Sequence, residues 1–383
     1  MMRSSFWFAK IDFGRSKLVQ LEKVKTETEL EIHERYKTVL EIMVAFLVSL
    51  VTVLLFMPSA IRTLRNKGST GIDVHKPEKP EIPKGGGFVF LFALVFGLLV
   101  VLGLTTFLNP VIDSAGILAA LVSILMAGMI GLLDDNLDFQ NRTKVVLPLI
   151  STIPMMVMSV GTPTMTIPLI GTVNFGVAYA LIIVPLMMTF MIDTTNMYGG
   201  MNGLEAGLGA INASGVVLYI VLAQWVTGES LPQQQMEAAI VAAALLGATL
   251  GFLVFNKYPA KVLPGDVGRL PLGSAIAAAV IIGNMDRLAI MMYIPFGINF
   301  LLYIIYRIYV KRKRMEWVKF ATPREDGTLE VVGPFTVYWV LPYFFRNITE
   351  KRNVSILLLL QAILVYGSVV VFLFLVPFGT GWF

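Results

Sequence analysis

Uncharged apolar runs of about twenty residues recur along this chain, and that is the length a helix needs to cross the hydrocarbon core of a bilayer. Residues 88–108 and 115–133 are two such runs without a single charge. Lipid offers a backbone no hydrogen-bond partners, so segments of this kind form helices that satisfy their own peptide groups. Composition points the same way. Apolar residues make up 56% of the 383 and charged residues 14%, against about 45–50% and about 25% in soluble domains. The expected fold is an all-α polytopic membrane protein of about ten transmembrane helices, at 41–61, 87–108, 114–133, 145–160, 173–192, 203–226, 236–255, 270–284, 288–310 and 354–377. The eighth, PLGSAIAAAVIIG, is short and rich in small residues, and forms a tight hairpin with the ninth across Asn284–Arg287. A polar extension, 1–38, precedes the helical domain 39–383, in which the loop 311–353 joins the last two spans.

Several chemistries are excluded. The chain has no cysteine, so disulfides, thiolate metal sites and cysteine nucleophiles are absent. Its two histidines, His33 and His75, lie far apart in sequence, which argues against a histidine metal centre. A net charge of +5 fits basic topology signals in a membrane protein, and no nucleic-acid partner is expected.

Lys and Arg are distributed unevenly between loops. The odd-numbered loops hold Arg62, Arg65, Lys67, Lys76, Lys79 and Lys84, then Arg142 and Lys144, then Lys257, Lys261 and Arg269, and finally the cluster from Lys311 to Arg324 with Arg346, Lys351 and Arg352. The even-numbered loops hold essentially only Arg287. The positive-inside rule places the odd loops in the cytoplasm and both termini outside. Residues 1–38, with eight basic and six acidic residues, fit that parity poorly, although long segments cross regardless of charge. Residues 1–10 lack the apolar core of a signal peptide.

Polar groups inside or at the edge of a membrane are costly and therefore informative. Here they gather at the ends of spans on the inferred cytoplasmic side: Asp134 and Asp135 in GLLDDNLDFQNRTK, Asp193, Asn196 and Asn202 in MIDTTNMYGGMNGLEAG, and Asp266 in NKYPAKVLPGDVG. Four carboxylates facing one compartment, among glycines and lysines, suit a site for Mg²⁺ and phosphates. Magnesium takes hard oxygen ligands, commonly one or two carboxylates plus substrate phosphate. Each element also has an ordinary alternative: solvated boundary aspartates, a turn-forming Asp266, or glycines 85–87 and 199–200 that serve close helix packing. Their convergence on one face favours the site.

These stretches, in order from about Gly71 to the last span, resemble the polyprenyl-phosphate N-acetylhexosamine-1-phosphate transferases. NMYGGMNGLEAG is similar to the pattern N-x-x-x-G-x-N-G-L-E-A-G of the dolichol branch found in eukaryotes and archaea, and EKRNVSILLLLQAILV resembles the start of its last span. The resemblance implies that Asp266 and Asn196 bind Mg²⁺, with Mn²⁺ able to substitute, together with a diphosphate. It implies that Asp134 and Asp135 position or deprotonate a lipid phosphate, that Lys144 contacts phosphate, and that Gly200 and Asn202 recognise uracil. Lys261, near Asp266, is a further substrate-binding candidate. Leu263 stands where relatives often carry a phenylalanine that stacks on the base, and Asp193 replaces a common asparagine.

The ninth loop departs most from the family pattern. Relatives place histidines there, whereas this chain has none after His75 and carries KRKRMEWVKFATPREDGTLEV instead. Arg312, Arg314, Lys319 and Arg324 are the substrate-binding candidates, and a basic cluster beside anionic lipid is the alternative. The aromatic stretch Phe335–Phe345 is too short to span and belongs at the interface. Asn-x-Ser/Thr triplets at Asn141, Asn347 and Asn353 are chance matches.

The resemblance thus implies an integral membrane transferase, in the cell membrane if the source is a prokaryote, with a cytoplasmic active site. It would move a sugar 1-phosphate, N-acetylglucosamine 1-phosphate first, from a UDP-sugar to a polyprenyl or dolichyl phosphate and release UMP, as the opening step of lipid-linked glycan assembly for protein N-glycosylation or another polymer. Membrane lipid is a partner and a homodimer stands open. The rival is a secondary transporter or lipid flippase, which would place its polar groups near the midplane, often in repeated halves.

Overall fold

A computed structural model describes residues 39–108, 114–167, 171–228 and 231–375; the extension 1–38 lies outside them. The chain divides into two units, Met1–Glu41 and Ile42–Phe383, the second of which holds the helical domain. Among the described residues, eight helices are long and apolar enough to cross a membrane. They are α1 (Val39–Asn66), α2 (Gly87–Leu108), α3 (Ala115–Leu137), α7 (Val184–Met197, entered through a wider π turn at Tyr179–Ile183), α8 (Leu204–Thr227), α9 (Gln233–Asn256), α11 (Asp286–Lys313) and α13 (Glu350–Val370). Their outward faces carry rows of bare apolar side chains, such as Ile294, Ile298, Leu301, Ile305 and Ile308 on α11. So large an exposed apolar surface matches contact with lipid. The protein is an integral membrane protein.

Two of the ten expected spans differ. The segment expected at 145–160 is three short helices, α4 (Asn141–Val146), α5 (Pro148–Ser151) and α6 (Ile153–Val157). Pro148 and Pro154 each remove a backbone donor and crowd the preceding turn, so a continuous helix is not sustained. The segment expected at 270–284 begins earlier, as α10 (Asp266–Ile282), and has only 17 residues. It packs chiefly against α3 and α7 and also against α9, α2 and α8. Every residue of α10 except Asp266 and Arg269 is buried. Its alanines and glycines let neighbours approach closely, and those neighbours shield it from lipid. The hairpin into α11 occurs as expected, with Asn284 in the left-handed region (φ 51°).

Among the described residues, three antiparallel strand pairs interrupt the helices: β1 (Thr70–Ile72) with β2 (Glu81–Pro83), β3 (Thr164–Ile167) with β4 (Gly171–Asn174), and β5 (Thr322–Pro323) with β6 (Leu329–Glu330). The aromatic stretch forms α12 (Val337–Phe344), whose Trp339 is buried. The triplet residue Asn353 is fully buried and donates to Tyr338 O at 2.7 Å, which bars it as a glycan acceptor.

Candidate active site

The last turns of α3 and α7 and the first turn of α10 open onto one cavity of about 880 Å³. Glycine makes the convergence achievable. A side chain at Gly131 would strike the Asp266 carbonyl, and one at Gly87 would strike the Gly268 backbone. The start of α2 and the last turns of α3 therefore meet the start of α10 backbone to backbone, and the side chains that flank the glycines are forced together.

Asp134, Asp135, Asp193, Asn196 and Asp266 all line this cavity. Both Asp134 and Asp135 act electrostatically on Asp266. Asp135 Oδ2 accepts the Val267 N–H at 3.0 Å, capping α10 in the manner of a helix N-terminal carboxylate. Its other oxygen lies 3.0 Å from Lys84 Nζ. Asp134 Oδ1 pairs with Lys144 Nζ at 2.9 Å and accepts the Phe139 N–H at 3.0 Å. Burial works to lower the Lys144 ammonium, but the hydrogen bond and charge of Asp134, aided by Asp138 and Asp266, outweigh it and hold the group above its ordinary value. Asp193 and Asn196 stand three residues apart on α7 and so share a face.

A turn at 198–203 forms the next wall. Gly200 has φ +114°, a conformation open to glycine and strained for other residues. Its N–H donates to Glu205 Oε1 at 2.8 Å. Arg269 Nη2 reaches the same oxygen at 2.8 Å, and its Nη1 lies 3.8 Å from Asp266 Oδ1. Arg269 thus ties the turn to the start of α10. Asn202 lines the cavity, and Leu263 is held by the 83–86 loop, its N–H donating to Pro83 O and its carbonyl accepting from Gly85 and Gly86.

The basic candidates separate. Lys144 and Lys319 line the cavity, while Lys261, Arg312 and Arg314 are exposed outside its lining. Arg324 is engaged in the β5–β6 hairpin, with Glu330 at 3.3 Å and the Arg346 carbonyl at 3.4 Å. Lys84, Arg269 and Arg307 are further cavity cations, none of them among the site residues singled out from the sequence. Arg269, at the third position after Asp266, sits one helical turn away and was findable by spacing. Phe320 was not. It comes from the segment after α11, yet its ring lies 3.8 Å from the point where a Gly200 Cβ would stand, and edge-on to His75 at 5.9 Å between centroids.

Among the described residues, no three His, Cys, Asp or Glu side chains group closely enough to hold a metal by themselves. One carboxylate and one amide oxygen, from Asp266 and Asn196, make the kind of sparse hard-oxygen set that magnesium completes with substrate phosphate and water. The residues present fit that ion.

The chain is similar in sequence to several known proteins. The profile of glycosyl transferase family 4 matches residues 117–284. A Saccharolobus solfataricus protein provisionally named UDP-N-acetylglucosamine–dolichyl-phosphate N-acetylglucosaminephosphotransferase is 34% identical over 263 residues, covering 69% of this chain and 76% of that protein. A Methanocaldococcus jannaschii protein provisionally named a glycosyltransferase is 30% identical over 75% of this chain and 82% of its own length. A phospho-N-acetylmuramoyl-pentapeptide-transferase of Chlorobium chlorochromatii is 30% identical over 64% and 71%. With a relative this similar along more than two thirds of both sequences, the chain belongs to glycosyl transferase family 4, the polyprenyl-phosphate sugar-1-phosphate transferases that its motifs resemble.

Proposed function

We propose that the protein transfers a sugar 1-phosphate, N-acetylglucosamine 1-phosphate first, from a UDP-sugar to a polyprenyl or dolichyl phosphate at the cytoplasmic face and releases UMP. The observation that carries this reading is the single cavity onto which Asp134, Asp135, Asp193, Asn196 and Asp266 open with Lys84, Lys144 and Arg269. The names of the relatives support it. Grouping at shared helix ends rather than at mid-span speaks against a transporter.

A lipid phosphate oxygen attacks the β-phosphorus of the UDP-sugar. The bond between that phosphorus and the bridging oxygen breaks, and the oxygen leaves with UMP. Phosphoryl transfer needs mainly positioning and charge neutralisation, which Lys144, Lys84 and Arg269 supply from three separate segments of the chain. The second ionisation of a phosphate monoester lies near pH 6, so the nucleophile is already largely dianionic. Asp134 then orients the acceptor through Lys144 and is not required as a strong base. Mg²⁺, held by Asp266 and Asn196, would neutralise the diphosphate when bound.

Incubating the purified protein with UDP-N-acetylglucosamine, Mg²⁺ and dolichyl phosphate tests the reading. UMP and a lipid-diphosphate-sugar are expected, and the product is expected to be lost with D266A. Absence of UMP from the wild type, with D266A binding nucleotide equally well, would overturn it. Exchange of labelled UMP into UDP-sugar without lipid would point to a two-step route through an aspartyl phosphate in place of direct attack.

A further inference from the structure

Asn196 lines the cavity, yet among the described residues its side chain makes no hydrogen bond of its own. Its place there follows that of its backbone, in the last turn of α7. A helix end is a weak anchor, because its final carbonyls have no partners within the helix. The chain then passes straight into the 198–203 turn, with Gly200 at φ +114°.

That last turn is gripped from α11. Tyr293, Phe296 and Asn299 stand at intervals of three, which brings neighbours to one side of the helix, and all three are buried. The hydroxyls of Tyr293 and Thr195 share a hydrogen bond at 3.0 Å. Asn299 Nδ2 donates to the Met197 carbonyl at 3.2 Å. Thr195 and Met197 are the residues on either side of Asn196. Between these two bonds the Phe296 ring meets the Tyr198 ring edge-on, with centroids 5.0 Å apart. Among the described residues, no other side-chain hydrogen bond joins positions 193–197 to a different element.

Asn299 is itself set from its far end. Its Oδ1 accepts the Val337 N–H at 2.9 Å, a donor of the first turn of α12. Turning this amide over would place NH₂ against an N–H and oxygen against a carbonyl, at about 1–3 kcal/mol for each buried group left unpaired. The donation to Met197 is therefore fixed by α12. On its other side α7 meets α10 by close packing, where a side chain at Gly273 would strike the Ile192 backbone. Such packing sets the separation of the helices, while hydrogen bonds, being directional, set the rotation of the end of α7.

We propose that Tyr293 and Asn299 are positioning residues for the divalent cation: by holding the residues on either side of Asn196, they keep its side chain in the cavity ready to take up the ion with Asp266. The inference rests on the reading above that Asn196 and Asp266 hold Mg²⁺. A ligand on a loose helix end must be ordered when the ion binds, which weakens binding, whereas one held beforehand need not be. Groups that orient a metal ligand commonly alter metal affinity by about 10–100-fold.

Titration of Mn²⁺ into the purified whole chain with UDP and no lipid acceptor, with free Mn²⁺ read by electron paramagnetic resonance, tests this without turnover. Melting temperatures are measured on the same samples. Y293F and N299L are each expected to weaken Mn²⁺ binding on the order of tenfold while remaining folded at the assay temperature. T195V is expected to match Y293F, and T195V/Y293F to be no weaker than either, since both substitutions delete one bond. T195S keeps the hydroxyl and is expected to bind like the wild type. Should N299L fail to fold, Y293F and T195V change volume little and carry the measurement. A lowered melting temperature with unchanged Mn²⁺ affinity in Y293F and T195V would overturn the proposal, and so would additive losses in the double variant. N196A separates the two levels. If N196A binds Mn²⁺ as tightly as the wild type, the assignment of Asn196 fails and this inference with it; if N196A binds weakly while Y293F and T195V do not, this inference alone fails.

Discussion

Asp135 accepts the backbone N–H of Val267 at 3.0 Å, one residue past Asp266. A residue expected to act on lipid phosphate thereby also caps the helix that carries the candidate metal ligand. D135A is expected to lower stability by about 1 kcal/mol through loss of the cap and to leave Lys84 without its carboxylate. D135N retains an oxygen for the Val267 N–H and is expected to preserve the melting temperature while turnover falls. Thermal unfolding and initial rates measured on the same preparations separate the two roles.

Lys144 and Asp134 form the other half of the pair, at 2.9 Å. Removing the ammonium by K144M takes a fixed charge from the cavity, and kcat is expected to drop on the order of a hundredfold, the usual effect of losing one preorganised electrostatic contact. The KM for UDP-sugar is expected to move much less. An unchanged kcat would show that Lys144 serves only to hold Asp134.

Phe320 brings a ring to the wall on which Leu263 has none. Base–aromatic stacking contributes about 1–3 kcal/mol, so F320A is expected to raise the KM for UDP-sugar about tenfold or more at similar kcat. F320Y is expected to bind like the wild type. L263F adds a ring in the same cavity and is expected to recover part of the loss in F320A. If F320A leaves KM unaltered, the ring faces something other than the base.

His75 is buried, and desolvation holds its imidazole down at about 4 despite the opposing charge of Asp73, with Lys76 adding to the depression. Glu350 lies 3.9 Å away and the Phe320 ring packs edge-on. Between pH 6.5 and about 4 the unfolded chain binds a proton that the folded chain does not, so stability falls as pH drops through that window and is flat above it. The slope from one such group is about 1.4 kcal/mol per pH unit. H75Q is expected to flatten the melting curve between pH 6.5 and 5. An equally steep decline in H75Q would assign the effect to other groups.

Much of the architecture was legible because the bilayer imposes a length rule on apolar runs, and eight of the expected spans obey it. The rule fails where its premise fails. At Pro148 and Pro154 the backbone lacks donors, and α10 is shielded by protein, so neither segment behaves as a full lipid-facing helix. The short hairpins were invisible because two to four residues carry no readable alternation. At the site, Asp134, Asp135, Asn196 and Asp266 stood out because a polar residue at the end of an apolar run needs a reason.

What the sequence determined by itself was eight of the membrane-length helices and the acidic residues at the margins of the apolar runs, since these follow from local hydropathy and composition. Tertiary structure alone decided which cations serve those acids. From the basic loop, Lys319 reaches the cavity, while Arg324 turns to Glu330 and the buried Lys76 reaches Asn202 across 126 positions of sequence. A charge repeated many times in a loop carries no local mark of its partner; the partner is set by close approach of backbones at Gly87 and Gly131 and by the cost of burying a charge unpaired.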